Sequence, residues 1–133
     1  MKKSIRNYIS CFENLSPESV NHLKKCLTED FIFIDPFNII RGRDGFESLI
    51  KSMFKKLKNP KFKVTFVAEK NPVTFLKWNF SCEIFKKKIE FIGVSEITIK
   101  RNLISKHIDY WDSGRNFYSN LPIIGSLFRK IHK

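Results

Sequence analysis

His107, Asp109 and Trp111 occupy alternate positions in residues 103–112, which read L-I-S-K-H-I-D-Y-W-D. An imidazole beside a carboxylate can orient or exchange a proton, and an indole can wall an apolar ligand, so the stretch holds the parts of acid/base chemistry. In a strand, period-two geometry sends Leu103, Ser105, His107, Asp109 and Trp111 to one face and Ile104, Lys106, Ile108 and Tyr110 to the other. Bulk water has little use for Trp on a strand face, and a dry core seldom admits Asp. The wall of a half-polar cavity accommodates both. A second carboxylate, Asp35, stands among Phe31, Phe33, Ile34 and Phe37. Desolvation in such surroundings raises a carboxyl pKa, which suits a base working near neutrality. The other reading of Asp35 is a turn former that caps the loop before Gly42. His107 and Asp109 are likewise either a base with its orienting partner or a structural hydrogen-bonded pair, with Asp35 completing it.

The flanking patterns say which elements must bring these groups together. Ile5, Tyr8, Ile9 and Phe12 recur at helical spacing and predict a first helix ending near Asn14. Ser16-Pro17-Glu18 is a helix start signal, and the second helix turns Val20, Leu23 and Leu27 inward and finishes around Thr28. Residues 31–35 read as a short apolar strand that Pro36 stops. Asp44 and Glu47 resemble a capping box, followed by Phe46, Leu49, Ile50, Met53, Phe54 and Leu57 on one helical face until Asn59-Pro60. The period then changes to two. Phe62, Val64, Phe66 and Ala68 face inward, Asn71-Pro72 turns the chain, and Leu76, Trp78, Phe80, Cys82 and Ile84 face inward again. Lys86-Lys87-Lys88 leads to a long strand over 89–100, where Gly93 marks a bulge or bend, and Arg101-Asn102 turns into the His107 strand. These four strands form an antiparallel meander. The whole is α+β, with helices over the concave side of a bent sheet and a conical pocket where Asp35 and Asp109 face each other. Residues 121–133 read as a short basic amphipathic helix, Ile124, Leu127, Phe128 and Ile131 opposing Arg129, Lys130, His132 and Lys133.

With 133 residues and 42% apolar side chains, the chain can bury one core and is too short for two ordinary domains. One domain over 1–133 is expected, its core over about 4–112. The 25 Lys+Arg against 13 Asp+Glu give +12, which raises the prospect of an anionic partner. The lysines are spread over the whole chain, however, and the aromatics alternate away from them, so a solvated basic surface is expected and no nucleic-acid partner. Cys11, Cys26 and Cys82 are odd in number without metal-type spacing, which reads as buried free thiols in a reducing cytoplasm. His22 and His132 have no second imidazole or thiolate at ligand spacing, so neither metal nor cofactor is expected. The start M-K-K is followed by Arg6, Asn7 and Tyr8, which interrupt any signal-like apolar run, and no stretch approaches a membrane span. The 121–133 helix could lie on an anionic membrane, or pack on the domain or on a second subunit.

The pattern S-P-E-S-V, T-E-D-F-I-F-I-D-P-F, G-R-D-G-F-E-S-L-I and the closing K-H-I-D-Y-W-D resembles the nuclear transport factor 2-like superfamily, in particular its SnoaL-like and ketosteroid isomerase-like branches. The resemblance covers about residues 4–112, and some members add a C-terminal helix. It implies a cone-shaped fold whose members include isomerases, cyclases, epoxide hydrolases, dehydratases and non-enzymatic binders. Asp35-Pro36 falls where ketosteroid isomerases carry a general-base Asp. His107-Ile108-Asp109 falls where limonene epoxide hydrolase-like members carry Trp-x-Asp with a water-activating Asp. Tyr8 lies within a residue or so of the isomerase oxyanion-hole Tyr, Ser95 replaces that enzyme's protonated Asp, and the hydrolases' Arg-x-Asp pair is missing. The expectation is a homodimeric binder of an apolar small molecule, in which cofactor-free acid/base chemistry has Asp35 or Asp109 remove a proton. His107 orients or returns it, Tyr8 or Ser95 donates to the developing oxyanion, and Trp78, Trp111, Phe37 and Phe54 line the pocket. The alternative is a non-catalytic ligand-binding or dimerisation module, its cone plugged by Phe37, Phe54 and Trp111.

Overall fold

The computed structural model describes residues 1–114; the segment expected as a helix at 121–133, and with it the membrane-surface reading, lies outside the described residues. The elements run α1 (Lys3–Glu13), α2 (Val20–Lys24), β1 (Leu27–Ile34), β2 (Ile39–Arg41), α3 (Arg43–Lys56), β3 (Lys58–Lys70), β4 (Val73–Ile84), β5 (Lys87–Lys100) and β6 (Leu103–Tyr110). They build one six-stranded sheet in the order β2-β1-β6-β5-β4-β3, with the helices on one face. The meander is antiparallel as its alternation implies, and β1 joins its far edge parallel to β6. Two-residue loops at Phe85-Lys86 and Arg101-Asn102 all have φ between 51° and 65°. That left-handed backbone matches the twist of the strands it joins and fixes their register. No helix among the described residues is long and apolar enough to cross a membrane.

The period-two face of β4 is buried as expected, Leu76, Trp78, Phe80 and Cys82 each being at most 5% exposed. Ile5, Tyr8, Phe46, Leu49 and Ile50 close over it from α1 and α3. Gly93 produces no bulge, because the β4–β5 ladder runs unbroken through Trp78 and Gly93. Its role is space: a Cβ there would stand 2.3 Å from the Trp78 indole. Gly93→Ala must therefore displace that ring, and a loss of about 3 kcal/mol in unfolding free energy by urea titration is the expected result. An unchanged midpoint would contradict this placement of the indole.

Bulges shift the alternation at two places that the sequence does not mark. Val64 pairs with Trp78 but Phe66 pairs with Lys77, so Thr65 is the extra residue and the phase flips beyond it. Phe66 is consequently 61% exposed on the outer face, and Val67 packs inward instead. In β6, Ile104 pairs with Ile99 and Lys106 with Thr98, leaving Ser105 as the extra residue. Ile104, not Ser105 or Leu103, is thus fully buried on the His107 side.

The capping signals also act differently. Ser16 and Ser19 cap each other reciprocally, N–H to Oγ at 3.1 and 2.9 Å, but regular helix covers only Val20–Lys24. Leu27 leaves it to pair with Ile104, so β1 is longer than the five residues expected. Asp44 and Glu47 form no capping box, since the N-cap is Gly42, which has no side-chain acceptor. Both carboxylates instead bind Lys24 Nζ, at 2.9 and 3.1 Å, and tie α3 to α2. Asn59-Pro60 lies inside β3, not beyond a helix end. The register shift between Lys58 and Lys61 absorbs the missing proline donor. The sequence pattern also leaves out β2, a three-residue strand folded back on β1.

Candidate active site

β1 and β6 pair in parallel, with Phe33 opposite His107 and Ile34 opposite Ile108. Asp35 directly follows the end of β1 and Asp109 is the next residue of β6, so the two side chains leave the strands on one side. This explains why two acids far apart in the chain meet. Both line one small cavity of about 70 Å³, with Phe33, Phe46, Phe62, Phe80, Trp78 and Trp111 among its other walls.

Asp35 is also a turn former. Its Oδ1 accepts from the Phe37 and Asn38 N–H groups at 2.8 and 2.7 Å and from Asn38 Nδ2 at 3.0 Å; Nδ2 reaches Oδ2 at 3.2 Å. The Asp35 carboxylate closes this turn and also stands in the cavity wall. Burial pushes its carboxyl up to about 6, opposed by the loop donors and reinforced by the Asp109 carboxylate.

Behind Asp109 runs a buried chain of hydrogen bonds. His107 Nε2 lies 2.5 Å from Asp109 Oδ1 and 3.1 Å from Ser95 Oγ, and Nδ1 lies 2.7 Å from the Tyr8 hydroxyl. Ser95 accepts from Trp78 Nε1 at 2.8 Å and donates to Asp109 Oδ1. A carboxylate acceptor at Nε2 places a ring proton there, and Nδ1 pairs with the Tyr8 hydroxyl. Burial, with Asp109 adding to it, holds the Tyr8 phenol well above its ordinary range and keeps it a donor. Tyr8, Ser95 and His107 are all at most 3% exposed. Phe12 and Phe33 present ring edges to the imidazole, with centroids 5.6 and 5.1 Å away. The bonds from His107 and Ser95 both go to Asp109 Oδ1, and none among the described residues goes to Oδ2. Tyr8→Phe leaves Nδ1 without its donor, and a loss of about 1–2 kcal/mol in thermal unfolding is expected, with the fold intact.

Of the residues expected at the site, Asp35, Asp109, Trp78 and Trp111 stand in the cavity wall. His107 stands behind Asp109. Tyr8 and Ser95 are corrected: their hydroxyl protons go to His107 and Asp109, so neither is aimed at an oxyanion. Phe37 is corrected as well, since it packs edge-on against Trp111, centroids 5.7 Å apart, outside the wall. Phe54 lines a separate open groove bounded by the ends of α1 and α3 and by β3, β4 and β5, and is not in the wall of the cavity that Asp35 and Asp109 share. Asn38, 1% exposed and clamping Asp35, is a site residue the sequence reading omits. The D-P-F-N turn, with an Asp able to cap its own loop, is the signal that could have found it. Phe12 and Phe46, also in the wall, read in sequence only as core. Among the described residues no group of three His, Cys, Asp or Glu is placed to hold a metal ion.

A curved six-stranded sheet with helices across it is the cone-shaped α+β architecture. The family model of the SnoaL-like domain matches residues 5–107, and the chain belongs to that family. No curated protein matches the sequence. Among solved structures, a Catenulispora acidiphila protein with a ketosteroid isomerase-like fold, in complex with trimethylamine, superposes with TM-score 0.77 at 11% identity, covering 89% of this chain and 92% of that one. An LEH-like epoxide hydrolase from M. tuberculosis gives 0.73 at 15%, covering 94% and 90%. TerC co-crystallised with polyporic acid gives 0.75 at 10%, covering 85% and 92%. At these identities the likeness is one of fold.

Proposed function

We propose that the chain binds a small apolar molecule in its cone and transfers a proton on it without a cofactor. The observation that carries this reading is the pair of carboxylates on adjacent strands, converging on one aromatic cavity with Asp35 raised to about 6. Asp109 Oδ2 is the base, His107 and Ser95 hold its other oxygen, and Asp35 is the partner able to carry a proton near neutrality. The cavity is about half the 150 Å³ at which an engineered apolar void takes up benzene. A substrate larger than a few heavy atoms therefore moves a wall, and Trp111, half-buried and stacked on Phe91 at 4.9 Å, is one of the partly exposed walls. Neighbours in complex with trimethylamine and with polyporic acid support a small-molecule role for the cone.

The test is exchange of α-protons for deuterium in small cyclic ketones, followed by proton NMR in heavy water. Exchange by the unaltered chain with a loss of about 10²-fold or more in Asp109→Asn is expected. Equal exchange by both, or none above buffer across the ketones, would contradict the reading.

The same reading includes a homodimer through the outer sheet face. Tyr110, Val94, Lys77 and Phe66 form one cross-strand row there, and Phe75 and Ile92 flank it, 44% and 57% exposed. Light scattering is expected to show a dimer that Ile92→Glu reduces to monomer. A monomeric parent chain would remove this part of the proposal.

A further inference from the structure

Cys11 and Cys26 lie outside the cavity, on different elements, with their sulfurs 4.0 Å apart. Cys11 belongs to α1, three residues from Tyr8 and on the same helical face. Cys26 stands at the corner between α2 and β1. That corner is fixed by its own backbone: Cys26 N donates to Leu23 O at 3.0 Å, and Cys26 O accepts from Ile104 N at 2.8 Å. The helix side is fixed by the bond from Tyr8 to His107. The two thiols are therefore held in van der Waals contact by two independently anchored backbones. Both are free and half-buried, whereas Cys82 is buried.

We propose that Cys11 and Cys26 are an oxidation site, a dithiol that closes into an intramolecular disulfide when the chain meets a hydroperoxide. Held this close, the second thiol acts at a local concentration no free thiol in solution matches. A disulfide needs the sulfurs at about 2.05 Å, so closure requires them to approach by roughly 2 Å through side-chain rotation and a small shift of α1. The thiolate of Cys11 attacks the peroxide oxygen, the O–O bond breaks, and the residue becomes a sulfenic acid with release of water or alcohol. Cys26 sulfur then attacks the sulfenic sulfur, its proton leaves with the hydroxyl as water, and the S–S bond forms. The chemistry is the same with the two sulfurs exchanged, and either order ends in the same disulfide. The product fastens α1 to the α2–β1 corner beside Tyr8, next to the end of the hydrogen-bond chain that holds Asp109.

The experiment is treatment of the intact chain with hydrogen peroxide, read by intact mass and by peptide mapping without reductant. The expected result is loss of two hydrogens, a cross-linked peptide joining Cys11 to Cys26, reversal by dithiothreitol, and Cys82 still a free thiol after unfolding. In Cys11→Ser and in Cys26→Ser a dimedone adduct is expected on the remaining thiol of the pair, with no cross-linked peptide. Separate sulfinic acids on the two residues, chains linked to each other, or both thiols intact at a dose that oxidises free cysteine would overturn the proposal. None of these readouts uses the carboxylate pair, so they stand apart from the proposed reaction.

Discussion

His107→Ala is expected to lower the unfolding free energy by about 4 kcal/mol, toward the upper end for a single substitution. The imidazole is 3% exposed and bonded at both nitrogens, to Tyr8 and to Asp109. Truncation empties a volume ringed by Phe12, Phe33 and Phe46. It also leaves a buried hydroxyl and a buried carboxylate each short of a partner, at about 1–3 kcal/mol apiece before relaxation. His107→Gln, which can still donate to Asp109 and accept from Tyr8, is expected to recover about half of the loss. Urea unfolding of the three proteins checks this. A loss below about 1 kcal/mol for His107→Ala would mean that the imidazole holds nothing in place.

Asp35→Asn is expected to act in the opposite direction, raising stability at pH 8 by about 2–3 kcal/mol. Asp35 titrates at about 6 in the folded chain, against about 3.9 in an unfolded one. Between those values the folded state binds more protons, so this group's contribution is complete below about pH 4 and lost as pH rises through about 6. Asparagine keeps a carbonyl oxygen for the Phe37 and Asn38 N–H groups while removing the buried charge. The variant should therefore lose the parent's decline between pH 4 and 6 and match it at low pH. If Asp35 carries the proton in turnover, the same substitution lowers activity, a stability gain at a functional group's expense. Thermal unfolding across pH 3.5–8 reads the effect, and parallel profiles for the two proteins would exclude a perturbed Asp35.

The sequence carries most of the sheet and half of the site. β4 is legible because every inward residue from Leu76 to Ile84 is apolar and buried, and nothing interrupts the alternation. β3 and β6 mislead at Thr65 and Ser105, where one extra residue reverses the phase and no glycine marks the place. His107, Asp109 and Trp111 keep their common face because all three lie beyond the Ser105 bulge. Asp35 is legible as an acid among phenylalanines, but its meeting with Asp109 depends on the parallel β1–β6 pairing, which local patterns do not encode. Tyr8 and Ser95, read from the sequence as oxyanion donors, direct their hydroxyls to His107 and Asp109. Hydroxyl direction is set by the acceptors that surround the group in space, here an imidazole 99 positions from Tyr8. Asp44 and Glu47 look like a cap until Lys24, from another helix, takes both carboxylates.

The coupling of the two carboxylates inside the cone is tested most directly by carbon-13 NMR of the aspartate carboxyl groups across pH. One group, assigned to Asp35, is expected to titrate at about 6 and to move down in Asp109→Asn, because the substitution removes a neighbouring negative charge. An Asp35 that titrates near 4 and ignores the substitution would contradict a shared, water-poor site.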